Sequence, residues 1–230
     1  MKRVIIWCVP LLVLAAAMLS LLMPPSDAQS NLMADLLGSS EGDADMAMVF
    51  GSADAPVVIE EYASLSCPHC AKFHMETLPA LIESDIKPGK AKLIWHSYVR
   101  NEPDLKGTML LSCLKTNKQR ATFLKVLFQM QDRWAFESDF IGSLKNIART
   151  GGMSEAAFDA CMADTELEIA VLGVRQSLAD SGKVKSTPTF YIGGEQLIGG
   201  QPVTAFSDMI ERKMPRTRPS VNATEPADAV

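Results

Sequence analysis

Two cysteines, Cys67 and Cys70, are separated only by Pro68 and His69. In the first turn of a helix such a pair can close a small disulfide and reopen it. The chemistry this spacing points to is thiol–disulfide exchange. Cys67 falls where an apolar run ends and a helical pattern begins. There the unpaired backbone N–H groups and the positive end of the helix dipole stabilise a thiolate. Pro68 suits the first helical position, because its missing N–H costs nothing there. His69 is expected to add a dipole, or a positive charge when protonated, beside the Cys67 sulfur. Cys70, one turn in, is expected to be the more buried and less reactive thiol. A stabilised thiolate favours the reduced pair, which makes the disulfide form an oxidant.

Glu60 and Glu61 interrupt the apolar strand just before this site. Strand alternation sends them to opposite faces. Glu61 is the candidate to sit beneath the pair and relay the Cys70 proton. The alternative is that both glutamates are solvated edge residues. A metal site is a rival use of the same cysteines, with His74 on their helical face and His96 as a fourth ligand. The tetrapeptide lacks a second cysteine pair at zinc spacing, so no metal is expected. Haem attachment requires a histidine after the second cysteine, where Ala71 stands. No cofactor is expected.

The positioning elements are read from hydrophobic period and turn residues. Met46–Phe50 is expected as a short strand, Gly51–Pro56 as a turn and Val57–Ala63 as a buried strand. A helix follows from Ser66, with Phe73, Leu78, Leu81 and Ile82 on its apolar side and Pro88-Gly89 closing it. Ala91–Tyr98 is a second long strand. Residues 101–181 carry a helical period with breaks at Asn101–Asp104, Ser138-Asp139, Gly151-Gly152 and Thr165, which predicts four or five helices forming a bundle of their own. Thr165 and Glu168 read as a capping box, and Ser154 as a helix start. Thr187–Ile192 and Glu195–Ile198 form a hairpin across Gly193-Gly194, and Val203–Met214 is a last helix. This order gives an α/β fold, a thioredoxin-like sheet with an inserted α-helical domain. Residues 46–100 and 183–214 make the sheet domain, 101–182 the insertion and 215–230 a loose tail.

The chain is 47% hydrophobic and 21% charged, with a net charge of −5. It is too apolar for a disordered chain and has no long basic run for nucleic acid. Only Val4–Met23, behind Lys2 and Arg3, is apolar enough to cross a bilayer, so a multi-span membrane protein is excluded. That run ends in Pro24-Pro25-Ser26-Asp27-Ala28, which reads as a secretory signal over residues 1–28 followed by a spacer over 29–45. An uncleaved anchor is the alternative, and both readings place the rest of the chain outside the cytosol. Cys8 lies in the apolar run without a lipobox. Cys67, Cys70, Cys113 and Cys161 remain, an even number that reads as two disulfides in an exported chain. Four cysteines allow three pairings, and spacing favours Cys67–Cys70 with Cys113–Cys161.

Glu61, the Cys67-Pro68-His69-Cys70 tetrapeptide, Phe73, the helical block and Thr187-Pro188-Thr189-Phe190 together resemble the DsbA family of thiol:disulfide oxidoreductases. The resemblance covers roughly residues 46–214. It implies that Pro188 is the family's cis proline facing the disulfide. It also implies that the Thr187 backbone bonds a bound substrate strand and that its hydroxyl tunes Cys67. Cys113 and Cys161 depart from the simplest family pattern and resemble an alphaproteobacterial arrangement with a second disulfide, as a structural staple or a modulator of Cys67.

The resemblance implies a monomeric periplasmic oxidase that donates the Cys67–Cys70 disulfide to reduced exported polypeptides. A quinone-linked membrane oxidase like DsbB would recharge it. A disulfide isomerase or reductase of the same fold is the alternative. Thr187 favours it slightly, while the shortness of the 29–45 segment leaves no room for the dimerisation domain of DsbC-like or DsbG-like isomerases. A third reading is a chaperone-like binding module with Met75, Met153 and Met162 lining an adaptable groove.

Overall fold

The computed structural model describes residues 47–215. The signal or anchor segment 1–28, the 29–45 spacer, Met46 and the tail beyond Pro215 lie outside the described residues. Among the described residues no helix is long and apolar enough to cross a membrane.

Val57–Ala63 is β-branched and apolar through most of its length, and it forms β2 at the centre of the sheet. β3 (Ala91–Ser97) lies parallel to it, with Val57 opposite Ala91 and Ala63 opposite Ser97. β1 (Met48–Phe50) pairs antiparallel with β3 on the far side. β4 (Thr189–Ile192) pairs antiparallel with β2, and β5 (Glu195–Ile198) with β4. The five strands run in the order β1-β3-β2-β4-β5. A strand with neighbours on both edges and helices packed against it reads as a near-continuous apolar run, as β2 does. The β4–β5 turn uses Gly193 and Gly194, both at positive φ of 53° and 84°.

The helix after β2 begins with α1 (Pro68–Lys72) and continues through a π-helical turn (Phe73–Thr77), α2 (Leu78–Leu81) and a second π-helical turn (Ile82–Ile86). The sequence signals one uniform helix here. Pro79 explains the first irregularity: it has no N–H to close an i→i−4 bond and its ring crowds the preceding turn. The register widens ahead of it, so that Leu78 N–H bonds Phe73 C=O.

Between β3 and β4 lie α3 (Glu102–Ser112), α4 (Asn117–Gln129), a 3₁₀ turn (Gln131–Arg133), α5 (Phe140–Thr150), α6 (Glu155–Met162) and α7 (Thr165–Ser181). Asn101, Thr116, Asp139, Ser154 and Asp164 cap them, each side-chain oxygen accepting a backbone N–H of the first turn. The expected capping box is displaced by one residue. Asp164, not Thr165, accepts the Leu167 N–H at 2.9 Å, because a carboxylate is the stronger acceptor beside the helix dipole. Glu168 is drawn away to Lys106 Nζ at 2.8 Å. The break at Cys113–Thr116 carries no glycine or proline and was not signalled. The closing helix α8 (Val203–Lys213) packs against β4 and α2.

The insertion has no separate bundle core of the kind its helical period suggested. Phe123, Leu124, Leu127, Phe128 and Trp134 belong to the same continuous apolar cluster as Ile59, Leu65, Phe73 and Trp95. Among the described residues a small group around Val99, Leu105, Met109 and Val171 is distinct. At the junction, a Cβ on Gly107 of α3 would come within 2.8 Å of Leu65 Cδ1 and 3.2 Å of Trp134 Cη2. Helix α3 can lie this close to the loop before Cys67 only because Gly107 has no side chain.

Cys113 and Cys161 are joined in a disulfide across a sequence separation of 48, tying the end of α3 to α6. Chain entropy assigns such a closure about 4 kcal/mol. The Cys113→Ala/Cys161→Ala double variant is expected to lose stability up to that size in denaturant unfolding of the protein. An unchanged Cys67 titration in the same variant assigns the bond a stapling role, whereas a shifted titration assigns it a modulating one.

Candidate active site

β2 ends at Ala63 and a buried turn, Ser64-Leu65-Ser66, delivers Cys67 to the N-cap of α1. The Cys67 backbone is extended, with φ −88° and ψ 116°, and α1 starts at Pro68. Cys70 is fully buried and Cys67 is only 3% exposed, a smaller contrast than their order in the helix suggests. Spacing favours a bond between them, yet both are free thiols in this structure. The structure holds the pair as a dithiol.

The Cys67 thiol donates to the Thr187 carbonyl oxygen at 3.3 Å. Thr187 and Pro188, joined by a cis peptide bond, reach this position from the far end of the chain because β4 pairs directly with β2. The Thr187 hydroxyl is buried without a hydrogen-bond partner while Cys67 is a thiol. It becomes a donor to the sulfur once the proton leaves. The Cys67 pKa is lowered to about 5, first by the Cys70 thiol donating to the thiolate, then by the Thr187 hydroxyl and the backbone N–H groups of Cys70 and His69, with burial opposing them. His69 thus acts through its backbone. Its side chain is exposed, so solvent screens the imidazole charge that the sequence reading assigned to it. Pro68 is also exposed, at the first helical position.

Cys70 is displaced the other way. Burial, the neighbouring Cys67 sulfur and the charge of Glu61 push its thiol far above the ordinary range. Glu61 has no exposed surface. Both its carboxylate oxygens lie 3.1 Å from His74 Nε2. The His74 ring stacks on Phe128 of α4, centroids 4.3 Å apart. Glu60 takes the other face, half-buried, with Tyr62 Oη 3.5 Å from its carboxylate and His96 Nε2 at 3.9 Å. The four residues weighed as a metal set are therefore not gathered. His74 turns to Glu61, and the His96 ring stacks on Tyr62 with centroids 4.8 Å apart. No cluster of three metal-ligating side chains occurs among the described residues.

Residues 43–212 match the family model described as Thioredoxin. The chain belongs to the thioredoxin family. Wolbachia pipientis alpha-DsbA1 superposes on this thioredoxin-family chain with a TM-score of 0.66 and 25% identity, covering 72% of this chain and 89% of that one. BdbD from Bacillus subtilis, in its oxidised form, gives a TM-score of 0.64 over 72% of this chain and 91% of its own, at 18% identity, a likeness of fold. A Rickettsia typhi protein assigned as a protein-disulfide oxidoreductase is 28% identical over 149 residues, 65% of this chain and 55% of its own length. A Rickettsia felis protein with the same assignment is 25% identical over 191 residues, 83% of this chain and 68% of its own. The chain thus spans little more than half the length of the first of these relatives.

Three site residues of this thioredoxin-family protein escaped the sequence reading. His74 was weighed as a metal ligand, yet it is buried against Glu61. Asp104 was read as part of a helix break, yet it is fully buried and bonds Ser64 and Ser66. Gln131 carried no signal, and its amide reaches the Leu65 carbonyl at 2.6 Å. Met75, Met153 and Met162, the groove of the chaperone-like reading, are partly buried against the core.

A hydrogen bond to a charged group contributes roughly 1.5–3 kcal/mol. Thr187→Val is therefore expected to raise the Cys67 pKa by about one to two units, read by thiolate absorbance near 240 nm. The lowered Cys67 value also sets a pH dependence. A thiol titrating near 5 when folded and near 9 when unfolded stabilises the reduced protein fully above pH 9, and loses that contribution as pH falls to 5. Melting curves of the reduced form should climb relative to the oxidised form from pH 5 to pH 9. Parallel curves would contradict the assignment.

Proposed function

We propose that the chain is an exported thiol:disulfide oxidoreductase working as a dithiol oxidase. The opposed displacement of its two thiols carries this reading: Cys67 is stable as an anion and Cys70 holds its proton. The oxidised protein has a Cys67–Cys70 bond. A substrate thiolate attacks Cys67 Sγ, the Cys67–Cys70 bond breaks, and its electron pair leaves on Cys70 Sγ, which takes up a proton. A mixed disulfide now joins Cys67 to the substrate. A second substrate thiolate attacks the substrate sulfur of that bond, and Cys67 departs as the stabilised thiolate. Two electrons have passed from the substrate dithiol to the enzyme, and the substrate leaves with a disulfide.

The apolar N-terminal run supports export, and the family resemblance supports a periplasmic location, monomeric action on reduced exported polypeptides, and recharging by a DsbB-like membrane quinone oxidoreductase. The Thr187 carbonyl, already bonding Cys67, is placed to accept an N–H from a substrate strand laid beside the site. The isomerase or reductase reading shares this geometry and differs in driving force.

Equilibration with glutathione separates the readings. A potential near about −120 mV marks an oxidase and one near about −270 mV a reductase. Oxidation of a reduced model protein should fall to background in Cys67→Ser, while Cys70→Ala, with Cys67 first converted to its mixed disulfide with glutathione, should pass Cys67 to a substrate thiol with release of glutathione and accumulate a cross-linked band. A wild-type Cys67 titrating near 9, or oxidation that persists in Cys67→Ser, refutes the proposal.

A further inference from the structure

We propose that Asp104 and Gln131, both from the helical insertion, are positioning residues that hold Cys67 where its thiolate is stabilised. The inference rests on the oxidoreductase reading above. It concerns the turn Ser64-Leu65-Ser66, which belongs neither to β2 nor to α1 and has no ladder of its own to fix it. Its own contribution is small: Cys67 N–H to Ser64 C=O at 3.1 Å and a hydroxyl contact between Ser64 and Ser66 at 3.3 Å. The side chains that hold it from outside come from the insertion. Asp104 accepts from Ser64 Oγ at 2.8 Å and from Ser66 N–H at 2.6 Å. It is braced in turn by Arg100 N–H at 2.9 Å. Asn101 Nδ2 donates to Ser66 Oγ at 2.9 Å. Gln131 Nε2 donates to Leu65 C=O at 2.6 Å.

Two independent elements therefore grip three consecutive residues, the first turn of α3 on one side and the 3₁₀ turn after α4 on the other. Asp104 and Gln131 are buried, 0% and 4% exposed, so water does not compete for these bonds. Burial pushes the Asp104 carboxyl up from its ordinary value, against the donors that surround it. The placement matters because N–H donors stabilise the anion only if its sulfur sits at the helix terminus to within a fraction of an ångström. A turn free to shift would carry Cys67 off the His69 and Cys70 N–H groups and away from Thr187.

Gln131 gives the cleaner test, because it is neutral and its loss changes no charge. Gln131→Met keeps the length of the side chain and removes the donor. The expected result is a Cys67 thiolate midpoint raised by about one unit and a glutathione equilibrium moved tenfold toward the oxidised pair, about 30 mV. A residue that only supports the fold would lower the melting temperatures of both redox forms together and leave midpoint and equilibrium unchanged. That outcome overturns the inference for Gln131. Asp104→Asn serves as a second variant and also stands in where Gln131→Met does not fold. Removing a nearby negative charge alone would lower the Cys67 midpoint, whereas lost positioning raises it. A rise supports the assignment, and a fall or no change overturns it. Wild-type protein titrating near 5 with unaltered variants defeats this inference alone, whereas wild type titrating near 9 defeats the oxidoreductase reading beneath it.

Discussion

The molecule depends on an inequality between two sulfurs one helical turn apart. Cys67 meets the open N–H groups of α1, the Cys70 thiol and the Thr187 hydroxyl, and all of them favour its anion. Cys70 meets apolar core, a neighbouring sulfur and the Glu61 carboxylate, and all of them favour its proton. The dithiol state resolves this asymmetry by leaving one proton on Cys70. Closing the disulfide abolishes the charge at Cys67 and discards the stabilisation. Each pKa unit by which the Cys67 thiolate is stabilised amounts to about 1.4 kcal/mol, or about 30 mV for a two-electron couple.

The fold reads as the apparatus that maintains this inequality. β2 sits mid-sheet and ends at the turn before Cys67, so the sulfur is launched from the best-buttressed strand. Antiparallel pairing of β4 with β2 brings in Thr187 from 120 residues away. The helical insertion extends the same apolar cluster over the active-site helix. Phe128 on its α4 stacks against His74, which grips Glu61, and Glu61 acts on Cys70. The insertion therefore reaches both sulfurs, Cys70 through Phe128, His74 and Glu61, and Cys67 through the turn before it.

What was legible in the sequence was local. The Cys-Pro-His-Cys spacing, the β-branched run before it and the glycine pair of the last hairpin each declare themselves within a few residues, and the structure has those elements. Element order then sufficed for the thioredoxin-like sheet, because a strand, a Cys-x-x-Cys helix and a closing hairpin leave few ways to pair. The hidden residues act at long range. Gln131 bonds a carbonyl 66 residues away, and Asp104 an amide 38 residues away. Asp104 lies beside Asn101 and Pro103, where turn composition masks a buried acceptor. The local signals that failed did so against tertiary demands. The Thr165 box lost Glu168 to Lys106, and the uniform helical period hid the register change that Pro79 imposes.

The same asymmetry shapes the return half of the proposed cycle. Reclosing the pair requires Cys70 to give up its proton in a place where burial and Glu61 oppose its ionisation. No exposed water surface lies on Cys70 to take that proton. The Glu61 charge that opposes this ionisation is joined to His74, and His74 packs against Phe73 and Phe128. A carboxylate at this position raises the cost of a Cys70 anion. As a charge, Glu61 keeps Cys70 protonated while Cys67 departs from substrate. Burying this one carboxyl against an imidazole therefore favours the half of the cycle in which Cys70 takes up a proton, and sets the return half to work against that same charge.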